Sequence, residues 1–227
     1  MQKFLLFFAV TLGLLSCQSE QAKKADTTAP ATKMPVPAQT PKKNILFFGN
    51  SLTAAYQLSP EQGFTALIQQ KIDSLHLPYT CVNAGLSGET TADGVNRLNW
   101  VLQQPVAIFV LELGGNDALR GLPVTESRKN LRAMLEKVKT KYPQCKLVIA
   151  GMQAPPNLGA TYTNAFREMY PRLARDFNAA LIPFLLDGVG GIPSLNLPDG
   201  IHPNPEGQKI VAGNVWKVLK PLLEAGQ

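Results

Sequence analysis

The segment Val106-Ala-Ile-Phe-Val-Leu-Glu-Leu113 is apolar on both of its faces. Successive side chains of a strand point to opposite sides, so such a run must be covered from both sides, as in the centre of a parallel sheet. Four more short apolar runs, residues 44–48, 79–83, 146–152 and 180–184, read as its neighbours. Amphipathic segments separate them. Ser59-Pro60-Glu61-Gln62 has a capping Ser, a Pro in the first turn and a Gln three residues after the cap. It predicts a helix starting there, with Phe64, Leu67, Ile68, Ile72 and Leu75 at helical spacing. Residues 91–104, 125–141 and 162–178 carry the same periodicity, and Asn204-Pro205 caps a last helix running to Leu223. Five strands alternating with five helices predict one α/β domain: a three-layer α/β/α, flavodoxin-like fold around a five-stranded parallel sheet.

The predicted domain occupies residues 44–227. Before it, Lys3 precedes an almost unbroken apolar run, residues 4–15, and Ser16 is a small residue at its end. That is the pattern of an export signal, residues 1–16, and it is shorter than the roughly 20 apolar residues a membrane-spanning helix needs. Leu14-Leu15-Ser16-Cys17 resembles the lipobox of bacterial lipoproteins, in which the Cys is lipidated. The resemblance implies a lipid anchor on Cys17 and a place in the bacterial cell envelope, facing the periplasm. An ordinary secretory signal that happens to hold a cysteine is the alternative. Residues 17–43 read as a disordered tether, since Pro30, Pro35, Pro37 and Pro41 oppose regular structure and few apolar residues are present to bury.

Charge follows the same division. The chain is net +6, but residues 44–227 hold 16 basic and 14 acidic residues. The excess therefore sits mostly in the first 43 residues. No basic stripe or aromatic platform marks the domain, so nucleic acid is not its partner. Cys81 and Cys145 both lie in strand-like runs. They read as two buried thiols, with a disulfide as the alternative outside the cytoplasm. No CxxC or Cys/His spacing points to a metal.

The unusual polar residues follow the strands, where open α/β sheets bind ligands. Gly49-Asn50-Ser51-Leu52 follows the first strand, and Asn83-Ala84-Gly85-Leu86-Ser87-Gly88-Glu89-Thr90 continues from the second. Gly114-Gly115-Asn116-Asp117 follows the third, and Asp199-Gly200-Ile201-His202-Pro203 lies beyond the fifth. Acyl transfer needs a hydroxyl nucleophile, a base, a carboxylate to orient the base and donors for the oxyanion. His76 sits near a helix end without polar company and reads as a surface residue. His202 lies three residues after Asp199, so a single turn brings the pair into contact. Each residue alone has a plain alternative: Ser51 a helix cap, Gly88 a turn glycine, Asn116 a capping residue.

Taken together, FFGNSLTAAY, NAGLSGETT, ELGGNDALRG and DGIHPN resemble the four blocks of the SGNH (GDSL-type) hydrolases, in the right order. Within that family the chain is most similar to the periplasmic thioesterase I/arylesterase/lysophospholipase group. The resemblance implies Ser51 as nucleophile, His202 as base and Asp199 as its partner. It also implies an oxyanion hole of the Ser51 and Gly88 N–H groups and the Asn116 side-chain amide. It implies no cofactor and no metal, a small-molecule ester as substrate, and a monomer. Asn50 departs from the family, whose name has Asp there. Two rivals remain: a carbohydrate O-deacetylase of the same fold, and a non-catalytic envelope-binding lipoprotein.

Overall fold

The computed structural model describes residues 41–225. The signal-like residues, Cys17 and nearly all of the expected tether lie outside them. The five apolar runs become β1 (Lys43–Gly49), β2 (Tyr79–Gly85), β3 (Ile108–Glu112), β4 (Lys146–Ala150) and β5 (Ala180–Ile182). All pair in parallel, in the order β2-β1-β3-β4-β5. The strand that is apolar on both faces lies at the centre, and every residue of β3 is buried. β1 starts at Lys43, one residue inside the segment read as tether, because its backbone N–H already reaches the Pro78 carbonyl at 2.8 Å.

Helices cover both faces. They are α1 (Phe64–Ser74), α2 (Thr91–Val101), α3 (Gly115–Leu119), α4 (Val124–Lys141), α5 (Ala160–Asp176) and α6 (Pro205–Glu224). α1 packs with α6, while α4 packs with both α2 and α5, which makes the two helical layers of a three-layer α/β/α sandwich. Strand alternation divides neighbouring aromatics between the layers. Phe47 meets Phe64 of α1 edge-on at 5.8 Å, and Phe48 lies under Arg97 of α2. Both phenylalanines are essentially inaccessible, and burial of such a side chain stabilises by roughly 1.5–3 kcal/mol.

Several boundaries differ from the sequence expectation. The helix expected to start at Ser59 starts at Phe64. Residues 60–62 form one separate 3-10 turn, and Gly63, in extended conformation, breaks it from α1. The α1 N-terminus is instead capped from α6: the Phe64 N–H donates to the Gln208 side-chain oxygen at 2.9 Å. A cap 144 residues away has no local signal. α3 is an additional one-turn helix in a segment expected to be loop. Asn204 caps α6 as expected, accepting the Glu206 and Gly207 N–H groups at 3.1 and 3.0 Å.

Cys81 lies in β2 and Cys145 at the entrance to β4, with β1 and β3 between them. Three strand spacings separate them by roughly 14 Å, twice the reach of a disulfide. Both are free thiols, and burial pushes Cys81 up to about 12 and Cys145 to about 11. Reductant should therefore leave the Tm unchanged in a calorimetric scan. A fall of several degrees on adding it would reveal a crosslink that this fold forbids.

Candidate active site

Ser51 stands in the turn directly after β1 and is 8% exposed. The turn is held from below. The Asn50 N–H and the Thr53 hydroxyl both donate to Glu112 Oε2 of β3, at 3.1 and 2.8 Å. Gly49 is needed at this point, since a Cβ there would stand 2.2 Å from Thr53 Oγ1 and 2.5 Å from Glu112 Oε2. The Asn50 side-chain oxygen accepts the Leu52 N–H at 3.0 Å, and the Ser51 hydroxyl lies 3.5 Å from it.

His202 arrives from the long segment between β5 and α6. Its Nε2 is 2.8 Å from Ser51 Oγ, and its Nδ1 is 2.7 Å from Asp199 Oδ2. Asp199 Oδ1 accepts the Ile201 and His202 N–H groups at 2.9 and 3.0 Å, which closes the turn. Gly200 sits inside it with φ +69°, where a side chain is strained. Burial opposes the Asp199 charge, but the two N–H groups and the imidazole outweigh it and hold the carboxyl down at about 2. A carboxylate at neutral pH places the imidazole proton on Nδ1 and leaves the Nε2 lone pair facing Ser51. The Tyr56 ring leans on the imidazole, with centroids 4.6 Å apart.

The β2 and β3 loops complete the site. Asn116, in α3, donates through Nδ2 to the Glu89 carbonyl at 2.9 Å, so one amide hydrogen is fixed and the other is free to serve the cleft. The Ser51 and Gly88 N–H groups have no acceptor among the described residues. Two buried carboxylates hold these loops. Arg97 binds Glu89 with Nε at 2.6 Å and Nη2 at 2.5 Å, and its Nη2 also reaches the Ala84 carbonyl. Asp117 accepts from the Thr91 N–H at 2.9 Å, the Thr91 hydroxyl at 2.5 Å and the Ser127 hydroxyl at 3.0 Å, binding α3 to α2 and α4.

Ser51, Gly88, Asn116 and His202 all line one cleft of about 780 Å³. Its walls are largely apolar and include Leu119, Met152, Pro155, Phe184 and Leu186. The arrangement lets the imidazole take the Ser51 proton, becoming imidazolium as Oγ attacks, and offers N–H donors to a developing oxyanion. No group of three or more His, Cys, Asp or Glu able to hold a metal occurs among the described residues.

Residues 47–210 match the GDSL-like lipase/acylhydrolase family. The chain belongs to this family. It is 40% identical over 186 residues to Esterase TesA of Pseudomonas aeruginosa, covering 82% of this chain and 92% of that one. Thioesterase 1/protease 1/lysophospholipase L1 of Escherichia coli is 37% identical over 180 residues, covering 79% and 84%. A crystal structure of TesA superposes with a TM-score of 0.75, covering 79% of this chain and 99% of that chain. The catalytic class is that of a carboxylic ester hydrolase.

Two contributors to this acylhydrolase site were not found from sequence. Tyr56 closes the block FFGNSLTAAY, but its contact with His202 spans 146 positions. Arg97 lies mid-helix, and its only local hint is the acidic Glu89 eight residues earlier. Glu112 is the buried floor of the nucleophile turn. Its Oε1 has no partner among the described residues. Burial is the main influence and pushes the carboxyl up to about 7, against hydrogen bonds from Thr53 and Asn50 that favour the charge. An aspartate at position 50 would crowd a second carboxylate beside it. Asn50 supplies the same acceptor without that repulsion.

The folded state thus binds the Glu112 proton more tightly than the unfolded chain, whose ordinary value is 4.5. The native state is favoured below pH 4.5 and loses ground as pH rises through 7. Between pH 5 and 7.5 the wild type should lose stability relative to Glu112→Gln, by on the order of 3 kcal/mol. Urea midpoints across that range measure the effect, and parallel curves for the two proteins would refute it.

Proposed function

We propose that this chain is a serine ester hydrolase of the cell envelope, acting on acyl and aryl esters of medium chain length. The hydrogen-bonded run from Ser51 through His202 to Asp199, at 2.8 and 2.7 Å in the floor of an apolar cleft, carries this reading. His202 Nε2 takes the Ser51 proton as Oγ attacks the ester carbonyl. The oxyanion is received by the Ser51 and Gly88 N–H groups and the Asn116 amide, donors that need not reorganise as charge develops. The intermediate collapses as the imidazolium protonates the leaving oxygen. Water, deprotonated by His202, then attacks the acyl-Ser51, and the acid departs. Asp199 stays ionised and orients the imidazole throughout.

The names of the similar proteins, an esterase and a thioesterase/lysophospholipase, support ester hydrolysis and extend the reading to thioesters and lysophospholipids as further substrates. The lipobox-like Leu14-Leu15-Ser16-Cys17 supports a lipid-anchored protein facing the periplasm, and the ester-hydrolysing relatives support a small-molecule substrate.

Ser51→Ala should fold normally and lose on the order of 10⁴-fold or more in kcat. Adding His202→Ala should cost little further, because the two act in one step. Multiplicative losses, or full activity in pure Ser51→Ala protein, would sink the mechanism.

The cleft walls predict chain-length preference. Each methylene buried against them should favour binding by about 0.8 kcal/mol until the cleft ends. In a p-nitrophenyl ester series kcat/KM should rise from acetate to medium chains. A maximum at acetate with a steep loss by butyrate would instead promote the O-deacetylase reading.

A further inference from the structure

Nine large apolar side chains are exposed among the described residues, and five of them stand at one end of the sheet. Tyr56 (38%), Leu119 (52%) and Ile201 (45%) edge the catalytic cleft itself. Leu86 (51%) and Ile192 (40%) are next to the lining residues Ser87 and Gly191 but do not line it; Leu86 also borders a separate groove beside β2, with Val82 and Trp100. The five come from the segments after β1, β2, β3 and β5, so the parallel topology gathers them around a single opening. Charge is distributed the opposite way. Residues 44–60, 147–166 and 188–198, which include three of the segments around the opening, contain no Asp, Glu, Lys or Arg. The 18-residue α4, by contrast, carries eight such residues. Of the charges beside the opening, Arg120 donates to the Gly88 carbonyl at 3.0 Å and Asp199 holds His202, while Asp187, next to the lining Leu186, is exposed.

We propose that this rim seats on a lipid–water interface, and that the enzyme draws its ester from that surface rather than from free solution. A cleft needs apolar walls to hold an acyl chain, but Leu86 and Ile192 lie outside the walls and have no acyl chain to hold. A ring of apolar tips around an opening with few charges is what partition into the headgroup–acyl boundary requires. The ring is continuous with the cleft, so an acyl chain can pass from the lipid phase to Ser51 without crossing water. The described chain begins at the opposite end of the sheet, at the start of β1. The 24 residues from Cys17 to Thr40, if extended, reach roughly 80 Å, and a domain of this size is roughly 40 Å across. A lipid on Cys17 therefore leaves the rim free to turn to the same membrane. The substrate part of this inference rests on the esterase reading; the docking part does not.

The test uses the full chain carrying Cys17→Ser, so that no lipid contributes, with and without Leu86→Ser/Ile192→Ser. The intact rim should raise the hydrolysis rate of a medium-chain p-nitrophenyl ester several-fold as the substrate passes from monomers to aggregates. It should also add to co-sedimentation with phosphatidylcholine vesicles. The double variant should lose at least five-fold of the aggregate-specific rate and most of the added vesicle binding, while kcat/KM for monomeric p-nitrophenyl acetate stays unchanged. Ile192→Trp should move vesicle binding the other way, which guards against a variant that merely folds badly. Equal responses of all three chains would overturn the proposal. So would a concentration-dependent dimer abolished by the same substitutions, since the rim would then cover a second copy. The vesicle arm involves no catalysis, so it still decides the docking if ester hydrolysis itself fails.

Discussion

The parallel hydrogen-bonded ladder is the constraint from which the rest follows. With every strand pointing the same way, all five carboxyl ends finish at one edge, and the polar loops that follow them have nowhere else to converge. The order β2-β1-β3-β4-β5 adds a second condition. The chain leaves β1 toward one side of the sheet and β3 toward the other, so a crevice opens between these neighbours. Ser51 leaves β1 and Asn116 leaves β3, and both stand at that crevice. The register that aligns Gly49 with Glu112 sets the Glu112 carboxylate under the nucleophile turn.

Holding such loops still requires buried polar groups, and three carboxylates here have a clear task. The Arg97–Glu89 pair fixes the carbonyl that aims Asn116, and the Arg97 guanidinium carbon lies 4.4 Å from the Phe48 ring centroid. Removing one partner of a buried pair leaves an uncompensated charge and typically costs about 3–5 kcal/mol, so the pair resists loss even where its net stabilisation is small. Asp117 does the corresponding work for α3 with hydroxyl and backbone donors from two helices. Glu112 is satisfied only in part: like Asn196 Oδ1, one of its oxygens is unpartnered among the described residues, while the other is satisfied twice. Its proximity to Ser51 explains why an incompletely satisfied acid is kept there: the same oxygen ties two residues of the nucleophile turn.

The surface divides as the interior does. The helical layers carry most of the exposed charge, and the opening at the edge where the strands end is tipped with apolar side chains. That asymmetry is unnecessary for proton transfer between Ser51 and His202. It bears on what approaches the site, and through what medium.

Much of this was legible in the sequence. The doubly apolar run at 106–113 required a covered parallel sheet, and the segments carrying Ser51, Gly88, Asn116, Asp199 and His202 stood out because they combined polar side chains with glycine in the connections that follow strands. Asp199 and His202 are three residues apart, so their contact is a local matter that one turn decides. The contact between His202 and Ser51 spans 151 positions, and the sequence could propose it only through a family likeness. The start of α1 was misplaced for the same reason: its cap is Gln208, supplied by a distant helix. Sequence by itself determined the alternation of elements, the parallel sheet and the inventory of reactive groups, since these depend on residue type and spacing along the chain. Tertiary structure alone decided which of those groups touch, that Cys81 and Cys145 stay apart, that Arg97 and Tyr56 serve the site, and that the apolar tips share one rim. Each of these depends on strand order and register, which hydrogen bonds between distant segments select.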